Sequence, residues 1–237
     1  MSLTLERILH SQGISTRRAC RALILAGRVT VHDTVHTDPF STFEADELKG
    51  LYFCVDDQAW QYQTHVTLMM HKPTGYECSR APSAHASVFE CLPSPFLNRG
   101  VQAIGRLDQD TSGLLLFTDN GKLNHRLSSP KYHVPKIYHV TTSEPVTHTL
   151  IERLLNGVVL HDSPKSIAAL SAAQIGDKTL SLTISEGKYH QVKRMVAAAG
   201  HHVRALQRVQ IGKLSLPADL EPGNWQYLNE QELEKLF

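Results

Sequence analysis

At 237 residues, with 41% hydrophobic and 20% charged side chains and a mean hydropathy of −0.23, the chain is too apolar for a disordered or fibrous protein. Its length suits a large domain with a small companion. No apolar run approaches the roughly 18 residues that span a bilayer, and Met1–Arg7 lacks the basic-then-apolar layout of a secretion signal, so a cytosolic location and no membrane partner are expected.

A formal charge of +1 argues against a generic nucleic-acid binder, yet the charges are segregated. Residues 1–30 hold five arginines against Glu6 alone, while residues 41–60 hold five acids against Lys49. Residues 121–143 carry four basic residues and no acid, and residues 186–213 carry six against Glu186. Three basic segments in a neutral chain can line one polyanion-binding surface. The four cysteines are separated by 34, 24 and 13 residues with no C-x-x-C, so they are expected as reduced thiols. The 14 histidines form no H-E-x-x-H, and no metal site is expected.

In chain order, residues 3–10 read as a small helix and residues 16–26 as a second. Ala19, Ala22, Leu23 and Ala26 form the apolar stripe of the second helix, Ser15 or Thr16 caps its start and Gly27 closes it. Arg17, Arg18 and Arg21 fall off that stripe. Arg28-Val29-Thr30-Val31 reads as a strand running to a turn at His32-Asp33. The polar stretch 56–65 breaks the pattern, so a module over residues 1–58, a linker over 59–65 and a second domain over 66–237 are expected.

In the second domain, strands are expected over Val66–Met70, up to Ile104-Gly105, and over Leu114–Thr118, which is apolar enough to be buried. A turn at Asn120-Gly121 is followed by a helix over Lys122–Ser128, a strand over Ile137–Thr142, a helix over Thr147–Asn156 closed by Gly157, and the alternating strand Leu180–Ile184. Val192, Met195, Val196 and Ala199 form the buried stripe of a last helix, with His190, Lys193 and Arg194 on its opposite side. Strands outnumber helices without alternating with them. The fold class is therefore α+β, a mixed, mostly antiparallel sheet with flanking helices.

The densest segment is Gly105-Arg106-Leu107-Asp108-Gln109-Asp110-Thr111-Ser112-Gly113, set before the buried strand, where catalytic loops tend to be anchored. From the residues alone it reads as a calcium loop, a D-x-D-x-T phosphotransferase nucleophile, or an aspartate-capped turn bonding its own backbone. The first lacks flanking helices, and the second has its threonine one place early.

Two resemblances add to this reading. Ser15-Thr16-Arg17-Arg18-Ala19, Ala26-Gly27-Arg28-Val29-Thr30-Val31 and Thr37-Asp38-Pro39 resemble the S-four-like RNA-binding module, although Leu5-Glu6-Arg7 departs from its usual opening. That implies phosphate contacts from Arg17, Arg18, Arg21 and Arg28. G-R-L-D-x-x-T-x-G-L-L-L-x-T resembles the signature of pseudouridine synthases, and Lys136-Ile137-Tyr138 and Glu186–Met195 resemble two further motifs in the same order. Together they are similar to the small-subunit (RsuA-type) branch.

The resemblance implies Asp108 as catalytic carboxylate, Lys193 as its basic partner, and Tyr138 as a stacking ring that also handles a proton. Arg106 would fill the gap left by a flipped base, with His190 and Arg194 as further substrate contacts. It implies an enzyme without cofactor or metal, acting as a monomer on small-subunit (16S) ribosomal RNA or its assembly intermediate. The competing expectations are a synthase for a large-subunit site and a non-catalytic RNA-binding assembly factor.

Overall fold

The computed structural model describes residues 2–160 and 163–237. The chain forms two compact units, one running to Val66 and including Leu92–Val101, the other comprising Thr67–Cys91 and Gln102–Phe237. The segment 92–101, expected within the second domain, thus packs with the first.

In the first unit the helices Leu5–Ser11 and Arg17–Leu25 bury Leu5, Ile8, Leu9, Cys20 and Ile24 completely. Thr16 caps the second helix by accepting the amide of Ala19, as its position suggests. The buried face differs from the expected stripe, because Ala22 and Ala26 are exposed. Ile24 and Cys20 remove more apolar area from water than alanines do, and they set the rotation of the helix.

Four antiparallel strands follow in the order Thr34–His36, Val29–Val31, Tyr52–Val55, Gln58–Gln61. Both two-residue hairpins turn through left-handed pairs, His32-Asp33 (φ 46° and 62°) and Asp56-Asp57 (φ 50° and 64°), the geometry that matches the twist of flanking strands. The expected linker therefore begins inside a strand. Trp60 is buried there and meets Phe96 of the helix Ser94–Arg99 edge-on at 5.8 Å.

The second unit is built on a nine-stranded sheet. Its main path runs Ser171–Gly176, Thr179–Ile184, Lys136–Thr142, Val203–Ile211, Thr111–Thr118, Thr67–Lys72, Trp225–Tyr227. Every pairing in it is antiparallel except Thr111–Thr118 with Val203–Ile211, where Gly113 lies opposite Arg208. This is the mixed, mostly antiparallel sheet with flanking helices expected from the sequence.

Leu114 and Leu116 pack on one face with Met69, Ile104, Leu127, Ile211 and Leu236. Phe117 meets Phe89 edge-on at 5.4 Å. The Asn120-Gly121 pair is a helix start rather than a free turn, because Asn120 Oδ1 accepts the amides of Lys122 and Leu123 at the head of Gly121–Ser128. Thr147 caps His148–Asn156 in the same way. The helix Gln191–Ala198 buries Val192, Met195 and Val196, with Ala199 just beyond it, as its spacing requires.

Candidate active site

The loop Gly105–Asp110 joins the antiparallel strands Gln102–Ile104 and Thr111–Thr118. At Gly113 the backbone has φ 106°, and a Cβ there would lie 2.2 Å from the carbonyl oxygen of Arg208. Only glycine lets the parallel neighbour approach this closely. Behind the loop, Lys72 ends its strand with no solvent exposure. Its ammonium donates to the backbone carbonyls of Pro73 (2.9 Å), Asp108 (3.1 Å), Gln109 (3.4 Å) and Thr111 (2.9 Å). Burial pushes the Lys72 pKa below its ordinary value, and the four carbonyl dipoles offset part of that cost.

The Asp108 side chain does not cap its own turn. Its Oδ2 accepts from Lys193 Nζ at 2.9 Å, and its Oδ1 lies 3.4 Å from His190 Nε2. Lys193 is shared, since its ammonium also donates to Asp110 Oδ1 at 2.6 Å. Burial pulls the Lys193 pKa down, but the hydrogen bonds to Asp110 and Asp108 prevail and hold it above the ordinary lysine value. Burial likewise raises the Asp110 carboxyl, and the Lys193 ammonium prevails to leave it below the usual carboxylate range.

An inner recess of about 80 Å³ is lined by Asp108, Lys193, Arg106, Thr111, Tyr138 and Ile184, among others. Tyr138 is buried, and the hydroxyl of Thr111 is buried without a hydrogen-bond partner among the described residues. Beside Tyr138 on its strand, burial and the neighbouring Arg208 guanidinium push Lys136 down to about 8. A wider groove of about 710 Å³ opens outward past Arg106, Asp110, Tyr189 and His85. A carboxylate held by an ammonium at the mouth of a partly apolar recess can act as nucleophile or charge stabiliser toward a small planar group.

Asp108, Tyr138, Lys193, His190 and Arg106 thus come together. Arg194 turns back instead, its guanidinium donating to the Tyr189 carbonyl at 3.2 Å. The four arginines of the first unit divide in two: Arg17 and Arg18 are exposed, whereas Arg21 pairs with Glu6 and Arg28 pairs bidentately with Asp56. The guanidinium of Arg21 holds the Glu6 carboxyl below its ordinary value.

Sequence reasoning missed Lys72 and Asp110 as members of the site. Lys72 gave no side-chain signal, because its partners are backbone carbonyls. The signal for Asp110 was a second carboxylate two residues from the first.

A carboxylate loop and a basic helix brought together on a mixed sheet define an enzyme site, and the comparisons specify its class. The model of the RNA pseudouridylate synthase family matches residues 66–198. The chain is 44% identical over 165 residues to the ribosomal small subunit pseudouridine synthase A of Escherichia coli K12, covering 70% of this chain and 71% of that one. It is 35% identical over 237 residues to the protein of the same name from Vibrio cholerae, covering 99% and 100%. A solved structure described as a pseudouridylate synthase superposes with a TM-score of 0.69 at 31% identity, covering 99% of this chain and all of the other. The chain belongs to the RNA pseudouridylate synthase family and is a pseudouridine synthase, an isomerase.

Proposed function

We propose that this enzyme isomerises one defined uridine of small-subunit (16S) ribosomal RNA, in the mature RNA or in an assembly intermediate. It would work in the cytosol as a monomer without a cofactor. The observation that carries the choice of RNA is the full-length similarity to a protein named as a ribosomal small subunit synthase, at 35% identity over 237 residues.

Isomerisation breaks the bond between uracil nitrogen and ribose, turns the base and joins its carbon 5 to the same ribose carbon. In this reading Asp108 is the catalytic carboxylate, Lys193 is its hydrogen-bonded basic partner, and Tyr138 stacks on the extruded base and exchanges a proton. Arg106 occupies the gap the base leaves. The first unit is an S-four-like RNA anchor, supported by the exposed Arg17 and Arg18 on one helix.

The test is incubation of the purified protein with small-subunit and large-subunit ribosomal RNA transcripts, followed by pseudouridine mapping. One new pseudouridine in the small-subunit transcript is expected. Modification confined to the large-subunit transcript would move the target to the other subunit.

A further inference from the structure

Tyr189 stands beside the catalytic loop with 76% of its surface exposed, the highest value among the exposed large hydrophobic residues described. A lone exposed ring means little by itself; its surroundings give it meaning. One face of the phenol stacks on the His190 imidazole, with ring centroids 3.8 Å apart and planes inclined by 18°. That imidazole in turn lies 3.4 Å from the Asp108 carboxylate.

The backbone beneath is held in place. His190 adopts a left-handed conformation (φ 48°) at the head of the helix Gln191–Ala198, and Arg194 clamps the Tyr189 carbonyl from one turn further on. Elsewhere along the same groove of about 710 Å³ lies a loop fixed by Glu77. That carboxylate accepts the amides of Ser83, Ala84 and His85 at 3.1, 2.9 and 3.0 Å. The groove is therefore a prepared channel, with a volume in the range of sites that enclose a sizeable organic ligand.

Extruding a uridine from its stack uncovers a face on each neighbouring base. We infer that the Tyr189–His190 stack is the subsite for a nucleobase flanking the target uridine, its outer face replacing the missing stacking partner. The recognition is by ring face, so it tolerates any of the four bases, and it adds affinity without engaging a phosphate. The inference rests on RNA pseudouridine synthase activity, not on which ribosomal subunit carries the target.

The experiment compares wild type with Tyr189→Ala, Tyr189→Phe and Tyr189→Trp, using ribosomal RNA from a strain lacking this protein as the probe. Affinity, KM, kcat and the salt dependence of binding are measured. Tyr189→Ala should weaken binding and raise KM by roughly 5- to 150-fold, the range of one base–aromatic stack. The salt slope should be unchanged, Tyr189→Phe and Tyr189→Trp should restore affinity, and the new tryptophan should lose fluorescence when RNA binds. Binding of Tyr189→Ala within twofold of wild type would overturn the inference. So would a phenylalanine variant as weak as alanine, which would assign the role to the hydroxyl, or a reduced salt slope, which would make the interaction ionic. Affinity is read separately from turnover, so absent turnover by wild type would count against the functional reading while the affinities still decide Tyr189.

Discussion

The buried ammonium of Lys72 donates to the backbone carbonyl of Asp108 at 3.1 Å, while the side-chain carboxylate of the same residue accepts from a second lysine, Lys193. One lysine fixes the loop and the other engages its carboxylate. Lys72 is thereby a positioning residue, acting through the backbone of 108–111.

Replacing it tests that division of labour. Lys72→Met removes a buried charge, so the loss of stability is moderated by the better burial of an apolar side chain. The loop loses its shared donor, and a displacement of about 1 Å at the reacting group costs on the order of 100-fold in rate. Turnover should fall by at least about tenfold while RNA affinity stays within about twofold. Amide exchange at residues 108–111 should accelerate.

Lys193→Met separates a partner of the carboxylate from a phosphate-binding group. With Lys193 hydrogen-bonded to both Asp108 and Asp110, its loss should lower the single-turnover rate at saturating RNA more than affinity, with an unchanged salt slope. Stability should change at both ends of the pH range. The Asp110 contribution is present above the unfolded carboxyl value of about 4 and is lost as pH falls through the depressed folded value. The Lys193 contribution is present below the unfolded lysine value of about 10.4 and is lost as pH rises through the raised folded value. In Lys193→Met both disappear, so acid unfolding should begin at higher pH and alkaline unfolding at lower pH. Unmoved unfolding limits with weakened, less salt-dependent binding would assign Lys193 to phosphate instead.

Gly113→Ala addresses the close approach that joins the two central parallel strands. The new Cβ would meet the Arg208 carbonyl at 2.2 Å with φ at 106°, and backbone there cannot yield as a side chain would. A loss of roughly 2–4 kcal/mol in denaturant unfolding is expected. A loss below about 0.5 kcal/mol, the size of an ordinary surface change, would show that the strands can part at no cost.

In the first unit, Arg17→Ala with Arg18→Ala should leave the thermal midpoint unchanged and lower the salt slope of RNA binding by roughly 0.7–0.9 for each phosphate that the variant no longer neutralises. Arg21→Ala should differ, because it strands the buried Glu6 carboxylate and so destabilises the unit. Equal behaviour of the two variants in thermal unfolding would contradict the ion pair.

Local chemistry makes much of this fold legible in the sequence. Thr16 and Thr147 announce their helices, the alternation in Leu180–Ile184 announces a strand, and the spacing of Val192, Met195 and Val196 gives the buried face of the basic helix. What escapes is long-range or conformationally unusual. The Asp56-Asp57 pair reads as a polar break, yet both residues adopt left-handed φ and close a hairpin, so the strand that follows reads as linker. The alanine stripe at 19, 22 and 26 matches the helical period, but Cys20 and Ile24 win the core. Lys72 is illegible because its partners are backbone carbonyls from a loop more than thirty residues away, which no side-chain pattern encodes. Asp108, Tyr138 and Lys193 stand out as a set by family resemblance, whereas Asp110's share of Lys193 requires geometry.

The most direct test maps pseudouridine in total ribosomal RNA from a strain lacking this protein, complemented with wild type or with Asp108→Asn. The exchange keeps the side chain's size and removes its charge, and Asp108→Asn should fold and bind RNA nearly as wild type does. One ribosomal position should lose its pseudouridine in the deletion strain, regain it with wild type, and remain an unmodified uridine with Asp108→Asn. Restoration of that position by Asp108→Asn would contradict the assignment of Asp108 as the catalytic carboxylate.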